Sequence, residues 1–277
     1  MRTVTLPSGE RVSAFGMGTW NLGDRQASRE EEIATLRLGL DSGLTLIDTA
    51  EMYGEGRSES LIAEAIEGRR DEVFLVSKVH PHNASRKAAV AACEHSLHRL
   101  GTDRLDLYLL HWRGSVPFAE TMESFRELQR VGKIRHYGVS NLDLKDMREL
   151  WSVPGGLTIA SNQLLYNLSR RGIEWDLLPW LREQEIRIMA YSPIEQGQLI
   201  ANPKLVEFSQ QNDMTPAQAA LAWLLARDDV IVIPKTGCRE RLQENIGALD
   251  RQLSTSQLAE LDRLFPPPTS PQSLEML

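Results

Sequence analysis

Apolar residues fall along the chain in short blocks that alternate with longer stretches where they recur every three or four positions. The blocks read as buried strands and the stretches as amphipathic helices. In order, the strand candidates are VSAFGMG (12–18), LTLIDTA (44–50), VFLVSKV (73–79), LDLYLLHW (105–112), IRHYGVSN (134–141), TIASNQLLY (158–166), IRIMAYSP (186–193) and VIVIPKT (230–236). Eight strand and helix alternations with no linker-like break predict a single α/β domain over residues 1–277, a (β/α)8 barrel. An open doubly wound sheet more often stops at about five or six strands.

Punctuation between the blocks supports the helices. Ser28 with Glu31 has the spacing of a capping box, and Thr215, Pro216 and Gln218 supply a cap, a first-turn proline and a box partner. In AVAACEHSLHRLG, Val90, Cys93, Leu97 and Leu100 share one face, with Glu94, His98 and Arg99 opposite. Two further helices are predicted at PKLVEFSQQND and STSQLAELDRLF. The opening TVTLPSGERVSAF reads as a hairpin turning at Pro7-Ser8-Gly9, placed to cap the bottom of the barrel, and the tail PPPTSPQSLEML as a segment without regular structure.

Composition narrows the function class. With 42% hydrophobic and 25% charged residues the chain can bury a sizeable core, and a net charge of -7 without Lys/Arg blocks offers no footprint for nucleic acid or an anionic membrane. Neither a signal peptide nor a membrane span is visible, so the expected location is the cytoplasm. Two cysteines, Cys93 and Cys238, are too few for a disulfide framework. The paired glycines at 16/18 and 54/56 do not complete a dinucleotide-binding G-x-G-x-x-G fingerprint. His80 and His82 have an H-x-H spacing but no ligand partners nearby, so no metal is expected; His95 and His98 read as surface groups.

In a barrel the chemistry lies where the strands end at the C-terminal face. The second block ends on Asp48, the third on Lys78 and the fourth on His111, spaced by 30 and then 33 residues. Adjacent strands lie about 4.8 Å apart, so three such tips of matching parity converge. Asp48 then pairs with the Lys78 ammonium, and Tyr53, in the loop after Asp48, aims its hydroxyl at the same cation. A free phenol has a pKa of about 10, and a neighbouring ammonium is expected to lower it, making Tyr53 a usable general acid. His111 would orient a carbonyl oxygen held near Tyr53. Any one of these residues alone reads as a local salt bridge or loop group; together they point to carbonyl reduction. Trp20, Met52 and Trp112 are expected to wall the pocket beside Tyr53 and His111. A short WRGSVP loop and a short tail suggest an open, permissive site, with Arg113 placed to attract anionic substrates. Two other functions share these residues: a Schiff-base lyase using Lys78, which the Asp48 pairing disfavours, and a redox-sensing regulatory protein with slow turnover.

The stretches GTW (18–20), IDTAEMYG (47–54), SKV (77–79), DLYLLHW (106–112), GKIRHYGVSN (132–141), NQLLYN (162–167), AYSP (190–193) and IPKTGCRERLQEN (233–245) resemble the aldo-keto reductases over essentially the whole chain. The likeness is to single-domain bacterial members that reduce methylglyoxal and related dicarbonyls or sugar-derived ketones such as 2,5-diketogluconate. It implies a tetrad of Asp48, Tyr53, Lys78 and His111, with Tyr53 as proton donor and NADPH (NADP+ in the reverse sense) as cofactor. It further implies that Ser140, Asn141 and Gln163 hold the nicotinamide amide, and that Tyr191 stacks on the ring. Thr19, Trp20, Asp48, Ser192, Pro193, Ile194, Ile233 and Pro234 are implied to line the cofactor, and Glu244 and Asn245 to meet its adenine end. Lys235 and Thr236 at the last strand tip, with Arg241 in the following helix, offer cations, a hydroxyl and helical N–H groups to a phosphate, hence NADPH rather than NADH. The expected partner is a small carbonyl compound, and the chain is expected to be a monomer or weak homo-oligomer.

Overall fold

The computed structural model describes residues 2–277. Strands β1 (Thr3–Thr5) and β2 (Arg11–Ser13) pair antiparallel as the expected hairpin, with Val4, Leu6 and Val12 buried beneath it. It is tied to the bottom of the barrel by Arg187, which donates to the Thr5 carbonyl at 2.5 Å, and by Glu10, which accepts from Arg135 and lies 2.6 Å from His136.

The barrel strands are β3 (Gly16–Gly18), β4 (Leu46–Asp48), β5 (Phe74–Val79), β6 (Leu105–Leu110), β7 (Ile134–Ser140), β8 (Ser161–Leu165), β9 (Arg187–Tyr191) and β10 (Val230–Ile233), all parallel and in chain order. The last and first strands are joined by the parallel bridges Phe15–Val232 and Gly18–Lys235, with the Val232 N–H donating to the Ala14 carbonyl and the Gly18 N–H to the Pro234 carbonyl, each at 2.9 Å. Each predicted block contains its strand, trimmed at the ends where the chain turns out of the ladder.

Around the barrel run α1 (Arg29–Asp41), α2 (Arg57–Ala65), α3 (Arg86–Leu100), α4 (Phe118–Arg130), α5 (Leu144–Trp151), α6 (Leu177–Glu183), α7 (Pro203–Gln211), α8 (Pro216–Leu225), α9 (Arg239–Ile246) and α10 (Thr255–Leu264). Thr215 and Gln218 form the predicted capping box of α8. Ser28 does sit at the α1 N-cap, but its hydroxyl donates to the Glu32 carboxylate instead of capping the helix. Cys93 is core filler on α3, fully buried. Among the described residues no helix is long and apolar enough to cross a membrane.

The tail after α10 has no regular structure, as its prolines predict, yet it is not loose. Leu274 packs on the core, Glu275 pairs with Arg170 at 2.5 Å, and the Leu277 N–H reaches the Tyr191 hydroxyl at 3.4 Å. The short tail is thus docked against the barrel beside Tyr191. Arg170 is itself anchored by the buried Glu195 carboxylate at 2.8 Å, which gives the tail a fixed docking point.

Candidate active site

Strand register explains why distant polar residues meet. Asp48 lies opposite Val76, two residues before Lys78; Lys78 lies opposite Leu109, two before His111; Leu109 lies opposite Gly138, two before Ser140. Ser140 is level with Gln163, Gln163 with Met189, and Tyr191, two further on, with Ile233, two before Lys235. Lys235 then bridges back to Gly18, which is level with Asp48. Side chains alternate faces along a strand, so this unbroken parity aims one tip residue from each strand inward, climbing from strand to strand.

At the centre the Lys78 ammonium is fully buried and donates to three oxygens: Asp48 Oδ2 at 2.8 Å, the Thr49 carbonyl at 2.7 Å and the Tyr53 hydroxyl at 3.2 Å. An ammonium has three donors and all are used. Burial alone would push Lys78 below its ordinary value, but Asp48 and Tyr53 outweigh it and the net direction is upward. Gln163 Nε2 donates to the other Asp48 oxygen at 2.7 Å, and Thr19 Oγ1 to the Asp48 carbonyl at 2.9 Å. Ser58 on α2 in turn donates to Thr19 Oγ1 at 2.8 Å.

Tyr53 arrives on a tight turn in which Gly54, Glu55 and Gly56 all have positive φ, a conformation that glycine takes without strain. At Gly56 a Cβ would also collide with the Arg99 side chain at 2.4 Å. The expectation that Lys78 brings this phenol below its ordinary pKa is not met. Burial raises it, Lys78 offsets part of that rise, and Asp48 adds to it. The phenol is thus held protonated, while the ammonium limits how far burial penalises its anion.

His111 presents an imidazole whose ring centroid is 5.8 Å from that of Tyr53. Burial first, then Lys78 and His80, lower its pKa to about 2, so the ring is neutral at any working pH. Its Nδ1 is enclosed and meets no partner among the described residues. With no acceptor there, the ring proton belongs on Nε2.

Around this centre the other expected residues are placed as follows. Asn141, in the left-handed region at φ 55, donates to the His111 carbonyl at 3.2 Å and Ser140 Oγ at 3.1 Å, and accepts from the Tyr191 hydroxyl at 3.0 Å. Ser140 donates to the Gln163 carbonyl at 3.0 Å. Ser192, also at positive φ, has a buried hydroxyl without a partner among the described residues; Ile194 packs on the core and Ile233 and Pro234 are buried. Trp20 and Met52 stand 45% and 43% exposed at the rim, and Trp112 is half-buried beside His111, 4.8 Å between ring centroids. At the far end Arg239 is taken by Glu31 at 2.9 Å, but among the described residues neither Lys235 nor Arg241 enters an ion pair. Desolvation lowers Lys235, the nearby Arg241 and Arg25 push the same way, and Glu32 and Asp24 oppose them. Two uncommitted, mutually repelling cations beside Thr236 suit a dianionic phosphate. Glu244 is half-buried and Asn245 buried on α9.

Arg113 does not face the pocket. It pairs with Glu149 at 2.9 Å and Asp146 at 3.4 Å and lies over the Phe118 ring at 4.0 Å. Its proposed use as an anion lure is corrected accordingly. The Schiff-base alternative also fails on geometry, since Lys78 is saturated with acceptors and stabilised as the cation, leaving no lone pair to attack a carbonyl. Thr49, whose contribution is a backbone carbonyl, and the Glu195–Arg170–Glu275 clamp escaped sequence reasoning; neither has a periodic or motif-like signal.

The sequence model of the Aldo/keto reductase family matches residues 14–265. The chain is 48% identical over 271 residues to the methylglyoxal reductase YeaE of Escherichia coli (strain K12), covering 96% of this chain and 95% of that protein. It is 32% identical to the glyoxal reductase of Bacillus subtilis (strain 168), covering 95% and 92%. Among solved structures, an aldo/keto reductase from Klebsiella pneumoniae in complex with NADP and acetate matches with a TM-score of 0.97 at 46% identity, over 100% of this chain and 99% of that one. One from the same organism in complex with NADPH matches at 0.96.

Proposed function

The chain belongs to the aldo/keto reductase family, and on that premise we propose that Asp48, Tyr53, Lys78 and His111 carry out NADPH-dependent reduction of small aldehydes, ketones and dicarbonyls, methylglyoxal foremost. The observation that carries this assignment is the saturated Lys78 ammonium. Because Lys78 donates to the Tyr53 oxygen, the phenolic proton is not spent on Lys78 and is free for the cleft. When bound, the dinucleotide supplies the hydride. Tyr53 then gives its proton to the oxygen of the incoming carbonyl as charge builds there, and Lys78 stabilises the phenolate that remains. Asp48, itself held by Gln163, keeps Lys78 charged and in place. His111, neutral and protonated on Nε2, donates to the same oxygen.

For the cofactor, Gln163 has committed its amide nitrogen to Asp48, so its Oε1 is the group left for the nicotinamide amide, with Ser140 and Asn141 shaping that end. Tyr191 offers its ring, and the partnerless Ser192 hydroxyl fits a cofactor oxygen. Thr19, Trp20, Pro193, Ile194, Ile233 and Pro234 line the channel. Lys235, Thr236 and Arg241 take the 2′-phosphate, and Glu244 and Asn245 the adenine end.

Loss of NADPH absorbance with a panel of aldehydes, dicarbonyls and keto-sugars tests the reading. Tyr53→Phe is expected to lower kcat by about 10²–10⁴-fold with NADPH binding intact. A Tyr53→Phe enzyme working at full rate would defeat it. Arg241→Ala is expected to raise KM for NADPH and leave that for NADH unchanged.

A further inference from the structure

The His80-Pro81-His82 segment takes no part in the reduction as described, yet its geometry is specific. After β5 ends at Val79, residues Pro81–Asn83 make one 3-10 turn capped by the His80 side chain, whose Nδ1 accepts the His82 backbone N–H at 3.3 Å. The His82 ring lies 4.6 Å from that of His80 and 17° from parallel, with the two Nδ1 atoms 2.8 Å apart. A backbone amide can only donate, so Nδ1 of His80 carries a lone pair there. In a neutral His80 the proton is therefore on Nε2, and His82 Nδ1 is the donor of the pair. Burial and then His82 lower the His80 pKa, with Glu51 opposing, which keeps the ring neutral. Glu51 also braces the turn, accepting the His80 N–H at 2.6 Å and Asn83 Nδ2 at 3.1 Å. His80 meets Trp112 edge-on at 4.8 Å, and Trp112 meets His111 at 4.8 Å, so His80 stands one aromatic ring along the rim from His111.

We propose that His80 is a specificity-determining residue: its Nε2–H donates to the second oxygen of a 1,2-dicarbonyl while Tyr53 and His111 hold the reacting one. The assignment rests on the carbonyl-reductase reading and adds to it a residue that selects dicarbonyls over simple aldehydes. A monocarbonyl leaves this donor unpaired once the substrate has displaced water, and an unpaired polar group is what separates close analogues most sharply.

The test compares kcat/KM for methylglyoxal and for propanal, with NADPH, in wild type and three variants. His80→Phe keeps a ring against Trp112 without a donor. His80→Asn keeps a side-chain acceptor for the His82 N–H but no longer reaches the pocket. His80→Gln restores a donor. The methylglyoxal-to-propanal ratio is expected to fall about tenfold in the Phe and Asn variants, with propanal turnover little changed, and to recover in the Gln variant. An unchanged ratio in either folded variant that lacks the donor, or both substrates declining in parallel, overturns the proposal. Tyr53→Phe in the same assay separates the two claims. If it is inactive while the His80 ratio stays constant, only His80 is misassigned; if it reduces both aldehydes normally, the catalytic reading falls and the His80 role with it.

Discussion

Asp48 and Asp106 are the same residue type, buried to the same 3%, on strands of the same barrel, and both face cations. Asp106 is the second residue of β6, at the bottom. It accepts from the Leu75 N–H, Arg70 and Arg135, each at 2.8 Å, while Arg70 goes on to the Val73 and Arg104 carbonyls and Arg135 to Glu10. Both cations that hold it are tied to further acceptors of the protein itself. Asp48 closes β4 at the top, and its chain of contacts runs through Lys78 to a phenol whose own proton has no internal destination. A buried acid by itself says nothing about chemistry; the difference lies in whether its network terminates in the protein or in the cleft. The contrast follows the general division of such barrels, in which the N-terminal face serves stability and the C-terminal face carries the chemistry.

Exchanging the consequences of the two networks gives the largest expected effects. Lys78→Met should cost at least about a hundredfold in kcat and also stability, because it leaves Asp48 buried without its cation. Adding Asp48→Asn should recover much of the stability and none of the activity, since a buried pair replaced by neutral groups of similar size is often neutral or better. Asp106→Ala should lower unfolding free energy by about 1–3 kcal/mol in urea titrations, because it strands the Leu75 N–H while Arg70 and Arg135 keep other acceptors, and should leave kcat of the folded enzyme unchanged. If Asp106→Ala impaired turnover while Lys78→Met spared it, the proposed division between the two faces would be wrong.

The same contrast explains what the sequence could and could not convey. Asp48, Lys78 and His111 were legible because each ends an apolar block, and strand parity then requires them to converge. The register climb from Asp48 past Val76 to Lys78 was implicit in the same alternation. The upward net shift of Tyr53 was not legible, since it depends on how deeply the phenol is desolvated, a three-dimensional quantity. Nor was the tail's route over the rim: Glu275 finds Arg170 across more than a hundred residues, with no periodicity to announce it. Arg113 misled because a cation beside His111 in sequence looks available, whereas Asp146 and Glu149 on α5 neutralise it from a separate element.

A smaller effect sharpens the comparison through pH. His111 is lowered to about 2 in the folded chain, whereas an unfolded histidine titrates near about 6.5. Its contribution to stability is therefore fully present above about pH 6.5 and is lost below it, where the unfolded chain binds a proton that the folded one refuses. The slope is about 1.4 kcal/mol per pH unit. Urea unfolding between pH 6 and pH 4 should show that slope in wild type beyond the slope of His111→Gln. Parallel stability profiles would mean that His111 is not buried neutral. Because the folded ring does not titrate near neutrality, kcat/KM should show no inflection assignable to His111 between pH 5 and pH 8.

The smallest expected effect concerns the one cation that the sequence placed at the mouth and the structure turns away. Arg113 is bound by Glu149 through two guanidinium nitrogens at 2.9 and 3.0 Å and covers Phe118, the first residue of α4. Its charge is balanced locally and screened further by solvent, so it contributes little field to the pocket. Arg113→Ala should therefore leave the ratio of kcat/KM for anionic over neutral carbonyl substrates unchanged and alter stability by less than about 1 kcal/mol. A loss confined to anionic substrates would mean that Arg113 releases Glu149 during turnover and swings inward, and the boundary between reactive rim and structural flank would have to be redrawn around α5.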